Sequence, residues 1–282
     1  MTTHETAPAF VDAHHHLWTL ARGDYAWITP AQPVLNRDYD LADYRAVAPD
    51  GVVASVLVQA APTVAETRFL LDAARAAGER VLAVVGWVDF EADDALDTLR
   101  DLAHDSRLRS IRPMVQNIAD PDWLLRPRVQ AVLGMLPVLD LAFDALVKPP
   151  QLPALVRMLD RNPDLRVVID HAAKPLIAAG VKEPWATLMR AAADHPHVQC
   201  KLSGLATEAR ADWTVDTLRP YVDHVVTCFG AGRLMWGSDW PVVELNGGLA
   251  RWWIATQALL APLGASGRAA VLGGNARRFY RR

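Results

Sequence analysis

Two cysteines, Cys200 and Cys228, are all that 282 residues contain. Both sit in apolar stretches, and a single pair cannot build the disulfide framework of a small secreted fold. A reducing, cytoplasmic setting is therefore expected. No apolar run approaches the length needed to cross a bilayer, so no membrane partner is expected. Residues 1–9 read as an N-terminal tail that carries acid and histidine rather than a basic, apolar leader. Charge of one sign is equally scarce. Lys and Arg number 29 against 32 Asp and Glu, for a net charge of -3, and no long basic run occurs. Nucleic acid is excluded as an expected partner on that ground. The 16 glycines form no phosphate-binding fingerprint after any early strand, which argues against a doubly wound dinucleotide fold. No compositional break marks a second domain.

What remains is apolar and rhythmic. About half of the chain, 51%, is hydrophobic. Phe10-Val11 leads a first strand. Continuous apolar runs, the pattern of strands buried on both faces, follow at Val52–Gln59, Val81–Trp87, Leu108–Met114, Ala142–Leu146, Leu165–Asp170, His197–Leu202 and Leu234–Trp236. Helical spacing fills the gaps: Val64–Gly78 with Thr63 as N-cap and Gly78 as stop, then 93–104, Leu152–Asp160, Pro184–Ala193, Pro220–Phe229 and Leu249–Leu260. Strands alternating with helices over this length predict a single-domain (β/α)8 TIM barrel across residues 10–282. Residues 20–49, rich in aromatic and proline residues and without a clean period, are expected to cover the site as a loop.

Chemistry in such a barrel sits at the C-terminal ends of the strands. The first strand runs into His14-His15-His16, and period-two alternation puts His14 and His16 on one face with His15 opposite. Paired imidazoles at the end of a buried strand suit a metal or a polarised carbonyl better than packing. The remaining strand ends carry Gln59, Trp87, Arg112, Asp144, His171 with Lys174 beyond it, Lys201 with Ser203, and Asp239. Arg112 and Asp144, on neighbouring strands, either pair with each other or face a ligand. Asp239 either caps a turn or serves as a catalytic acid–base. Trp27 is a candidate to stack on a substrate or to anchor the loop.

Asp12-Ala13-His14-His15-His16-Leu17-Trp18, Asp170-His171-Ala172-Ala173-Lys174-Pro175 and Gly237-Ser238-Asp239-Trp240-Pro241, taken together, resemble the amidohydrolase superfamily, and within it the sugar-lactone and pyrone-dicarboxylate lactonases. The resemblance runs almost the whole chain. It implies hydrolysis of a small lactone, with His14, His16 and His171, helped by Lys174, around the carbonyl and Asp239 as general base. Gln59, Trp87, Arg112, Asp144, Lys201 and Trp27 are then the expected contacts to ring substituents. The superfamily's two-metal members bridge their ions from strand four and use a histidine on strand five. Arg112 and Asp144 stand there instead, which argues against a two-metal site. By resemblance, the lactonase branch is largely independent of divalent metal, so no cofactor is expected. A single zinc on His14, His16, His171 and Asp239 is the alternative.

A sugar lactone such as L-fuconolactone or L-rhamnonolactone is the expected substrate, ahead of a pyrone-dicarboxylate or muconolactone. A single-zinc hydrolase or decarboxylase, and a barrel that binds without catalysis, are the remaining readings. A homodimer is the one assembly to weigh.

Overall fold

The computed structural model describes residues 9–281. Of the tail read at 1–9, residues 1–8 lie outside the described part. Eight parallel strands follow one another around a single sheet in chain order: β1 (Phe10–His15), β2 (Val52–Val58), β3 (Val81–Gly86), β4 (Leu108–Ile111), β5 (Ala142–Ala145), β6 (Val167–Ile169), β7 (Val198–Leu202) and β8 (Leu234–Trp236). The ring closes between last and first strands, where His15 bridges to Trp240 and Asp239 N donates to His14 O at 2.8 Å. The helices are α1 (Leu41–Val47), α2 (Val64–Ala77), α3 (Ala95–Ala103), α4 (Pro127–Met135), α5 (Leu152–Arg161), α6 (Trp185–Ala193), α7 (Val215–Phe229), α8 (Gly248–Leu260), α9 (Gly264–Ala269) and α10 (Asn275–Tyr280). The architecture is the (β/α)8 barrel that the alternation predicts.

Two apolar layers hold it together. Most buried side chains pack between the strands and the surrounding helices, among them Leu57, Leu99, Leu155, Met189 and Val225. A smaller set that includes Val11, Val56, Val85, Val168 and Met235 packs with Phe279 and Tyr280 of α10.

Several elements depart from expectation. The strands stop earlier than their apolar runs, β4 at Ile111 and β6 at Ile169, because the residues beyond leave the ladder to form the site. Helix α7 begins at Val215, not Pro220: Thr214 caps it by accepting from Thr217 N, and Pro220 sits inside the helix. Segment 20–49 divides in two. Trp27 reaches the site, with Nε1 donating to Ala60 O at 2.7 Å. The far half folds into α1, capped by Asp40, and stacks Tyr44 on His15 at 4.0 Å between ring centroids. Only the first half covers anything catalytic.

Candidate active site

Strand β1 carries a register shift between Asp12 and His15. Beyond it His14 and His16 turn to the same side, ring centroids 5.0 Å apart, and His15 turns to the other, where its Nε2 meets Ser55 Oγ at 2.8 Å. The alternation read from the sequence holds. Asp12 ties this strand end to the β8 turn. Its Oδ1 accepts from both His14 N (3.0 Å) and Ser238 N (2.9 Å), and its Oδ2 accepts from the Tyr44 hydroxyl at 2.7 Å. That clamp brings Asp239, itself at φ +58°, against the histidines.

Asp239 Oδ1 is the point on which the imidazoles converge. His16 Nε2 lies 3.3 Å away, His14 Nε2 3.7 Å and His171 Nε2 3.9 Å. His16 Nδ1 is 2.8 Å from Val58 O. A carbonyl only accepts, so Nδ1 carries a proton, and Nε2 faces the Asp239 carboxylate at 3.3 Å. Burial works to raise the Asp239 carboxyl, but His171, His16 and His14 overcome it and hold Asp239 well below the usual carboxylate range. His171 is pushed down to about 4 by burial, partly offset by Asp239.

His171 reaches this cluster through an unusual backbone. His171, Ala172, Ala173 and Lys174 all lie in the left-handed region, φ +49° to +57°. Each non-glycine residue there costs roughly 1–2 kcal/mol, a strain that persists only where surrounding contacts over-determine it. Those contacts are present. Trp185 Nε1 donates to Ala172 O at 2.7 Å, and Ser203 Oγ holds His171 Nδ1 at 2.8 Å. Gly204 leaves room for the ring, since a Cβ there would stand 2.6 Å from His171 Nδ1.

Beneath the histidines lies a buried ionic layer. Lys201 Nζ is fully enclosed, 2.5 Å from Asp144 Oδ2, 3.1 Å from Asp170 Oδ1 and 3.3 Å from His14 Nδ1. Tyr280 of α10 donates to Asp144 at 2.9 Å. Arg112 Nη1 contacts Asp170 Oδ2 at 3.3 Å and His14 Nε2 at 3.4 Å, and its Nη2 donates to Gln59 O. Burial raises Asp144 despite Lys201. Asp170 ends well below its ordinary value, because Lys201, His14 and Arg112 together outweigh the same burial.

A pocket of about 280 Å³ opens above this layer. His16, His171, Asp239, Arg112, Lys174 and Trp27, all expected at the site, line it with Met114, Asn117 and Leu146. The other expected residues are placed differently. His14 is fully buried, 3.7 Å from Asp239 Oδ1, and does not line the pocket. Lys201 and Asp144 do not line it either; both are fully buried and pair with each other. Arg112 therefore pairs with Asp170, not Asp144. Gln59 is also fully buried and braces Arg112 through its Nε2 to Arg112 O, 2.5 Å. Trp87 lines an adjoining pocket instead. Lys174 is at the pocket wall but tied to Glu208 at 3.3 Å.

Sequence reasoning gave no role to Asp12, Asp170 or Tyr280. Asp12 and Asp170 lay inside the motifs beside the histidines, and an acid next to a site histidine was the usable signal. Nothing local pointed to Tyr280.

The donor set suits one tetrahedral metal. Ligand atoms ~2.0–2.1 Å from a zinc stand roughly 3.4 Å apart from each other, and the separations to Asp239 Oδ1 run from 3.3 to 3.9 Å. His14, His16 and Asp239 place one ligand atom each within 4.8 Å of one another. The outer proton of His16 on a backbone carbonyl is also the arrangement that orients metal-binding imidazoles.

A family model for amidohydrolases matches residues 11–282. An L-fucono-1,5-lactonase of Burkholderia ambifaria is 46% identical over 96% of this chain and 95% of its own length. A second L-fucono-1,5-lactonase, from Burkholderia multivorans, is 34% identical over 96% of this chain and 95% of its own. Among solved structures, an amidohydrolase from Burkholderia multivorans with bound zinc superposes with a TM-score of 0.89 at 33% identity, covering 96% of this chain and 98% of that one.

Proposed function

From the premise that this chain belongs to the amidohydrolase family, we propose that it hydrolyses a small sugar lactone of the L-fucono-1,5-lactone type. The convergence of three imidazoles on Asp239 Oδ1 carries this reading. Its similarity to two L-fucono-1,5-lactonases along nearly its whole length supports the substrate class.

The lactone carbonyl faces His171 and Arg112, both of which line the pocket. Asp239 Oδ1, set by His16 Nε2 at 3.3 Å, accepts from the water and aims it. Asp239 takes a proton as the water oxygen adds to the carbonyl carbon. The tetrahedral oxyanion accepts hydrogen bonds from Arg112 and His171, the ring C–O bond breaks, and the proton on Asp239 passes to the leaving oxygen. His14 is a positioning residue, packed behind Asp239. A zinc on His14, His16, His171 and Asp239 would supply carbonyl polarisation or a more acidic water. A lactone, an activated ester, needs less such help than an amide, and turnover without metal is the expected behaviour.

A dicarboxylate substrate needs unpaired cations in the pocket. Lys174 is matched by Glu208 and Arg112 by Asp170, so a neutral polyhydroxylated ring fits better. The test is proton release on a panel of aldonolactones and a pyrone dicarboxylate, with protein dialysed against chelator. Fast opening of an aldonolactone supports the reading, with a loss of about 10²–10⁴ in kcat expected for Asp239→Asn. An Asp239→Asn variant at full rate refutes the base assignment. Turnover seen only after zinc is restored would make the histidines obligate ligands.

A further inference from the structure

Next to the catalytic pocket lies a second cavity of about 400 Å³. Its apolar wall includes Trp27, Trp87, Phe90, Met114, Ile118 and Trp123, and among the described residues no Lys, Arg or His lines it. Trp27, Met114 and Asn117 line both cavities, so the two adjoin across one shared wall. Trp27 is held in that wall by its bond to Ala60 O and by edge-on packing against Trp18 at 5.6 Å. The catalytic cavity alone, about 280 Å³, falls just under the ~300–1,000 Å³ of pockets that enclose larger ligands, which is room for one small ring. The neighbouring space has no part in opening the lactone as described above.

We infer that this second cavity is a substrate subsite for a neutral glycosyl group carried on the lactone, so that the enzyme accepts, and prefers, lactones of glycosylated aldonic acids. The inference rests on the lactonase reading and extends it to the part of the substrate remote from the reacting carbonyl. That carbonyl sits at the His171–Asp239 end, which directs the far side of the ring toward Trp27, Met114 and Asn117. Aromatic faces of Trp27 and Trp87, both partly exposed, offer the flat apolar surface on which the C–H face of a pyranose packs. Acids ring the cavity: Asp24, paired with Arg22 at 2.6 Å; Glu91, paired with Arg126 at 2.7 Å; and exposed Asp89, whose Oδ1 accepts from Glu91 N. Carboxylates accept hydroxyl protons and repel anions. A phosphorylated or carboxylated substituent meets no Lys, Arg or His among the described residues that line the cavity, and a purely aromatic one makes no hydrogen bond to Asp89.

The experiment compares a plain aldono-1,5-lactone with its O-glycosylated counterpart, an aldobiono-1,5-lactone, in wild type and in Ile118→Trp, which fills the second cavity at a residue that does not line the catalytic pocket. Wild type should show roughly tenfold higher kcat/KM on the glycosylated lactone, through KM, the scale of discrimination an added apolar contact supplies. Ile118→Trp should cut the rate on the glycosylated lactone alone. Saturation-transfer NMR with the corresponding reduced disaccharide, which cannot turn over, reads the subsite independently. Binding to wild type but not to Ile118→Trp supports the subsite even if neither lactone is opened, an outcome that would sink the lactonase reading instead. Equal kcat/KM on both lactones with no disaccharide binding overturns the inference. Preference for an aryl-substituted over a glycosylated lactone overturns the sugar assignment.

Discussion

Lys201 Nζ sits fully buried between two carboxylates, at 2.5 and 3.1 Å. A lone buried ammonium is costly, so its presence makes sense only as the centre of that layer. Its chemical consequence lies above it, in a fixed Asp170 and a fixed His14. Lys201→Met leaves Asp144 without its cation and Asp170 with Arg112 alone, and should cost about 3–5 kcal/mol in urea-induced unfolding. Adding Asp144→Leu should recover part of that loss. No change in Lys201→Met would mean that the carboxylates already share protons with Tyr280 and His14. From sequence, Lys201 looked like a cleft residue because it follows a buried strand, and strand position alone does not say how deep a long side chain ends.

At the scale of elements, two connections decide the site. One is the left-handed turn after β6, which aims His171. Gly204, at φ +62°, is where β7 makes room for that ring. Gly204→Ala meets His171 at 2.6 Å and strains its own backbone, so the imidazole must shift. A loss of about 10²-fold in lactone turnover is expected, the cost of misplacing a group near the reacting atoms by roughly 1 Å. Unchanged turnover would dismiss His171 from the reaction. The other connection is the β2–α2 loop, held by Glu66, whose carboxylate accepts from Ala60 N at 2.9 Å and Ala61 N at 2.8 Å. Burial pushes Glu66 up to about 7, against the pull of those amides. Between its ordinary value of 4.5 and 7 the folded chain keeps a proton that the unfolded chain has lost. The folded state binds more protons there, so this contribution is complete below 4.5 and disappears as pH rises through 7. It amounts to up to about 3 kcal/mol. Glu66→Gln has no such titration. Denaturant unfolding at pH 5 and pH 8 should show wild type losing more stability with rising pH than Glu66→Gln, and parallel profiles would contradict this.

For the whole molecule, the barrel serves to bring β1, β4, β6 and β8 to one end, where residues far apart in the chain share a few ångströms. His16 and Asp239, 223 positions apart, meet at 3.3 Å. A ligand that joins such residues stabilises the closed ring against the unfolded chain. Zinc at 100 times its dissociation constant should add about 2.7 kcal/mol, visible as a raised melting temperature with one ion per chain, and His16→Ala should abolish it. If the same shift persists in His16→Ala, the ion is bound elsewhere.

The alternation of apolar runs with helical spacing was enough to specify eight strands, their order and the end at which polar residues gather, because burial on both faces leaves a strand little freedom of composition. The same local periodicity separated His15 from His14 and His16, and the three motifs picked out His171 and Asp239. What it could not hold was depth and partnership. Whether Arg112 meets Asp144 or Asp170, whether Lys201 reaches the pocket or a pair of acids, and that Tyr280 closes the layer from beneath all depend on barrel curvature and on α10 packing under the strands. Those are distances between segments more than 50 residues apart, such as Lys201 to Asp144. Charge neutralisation in a water-free interior selected among the partners, and only the closed fold makes that choice.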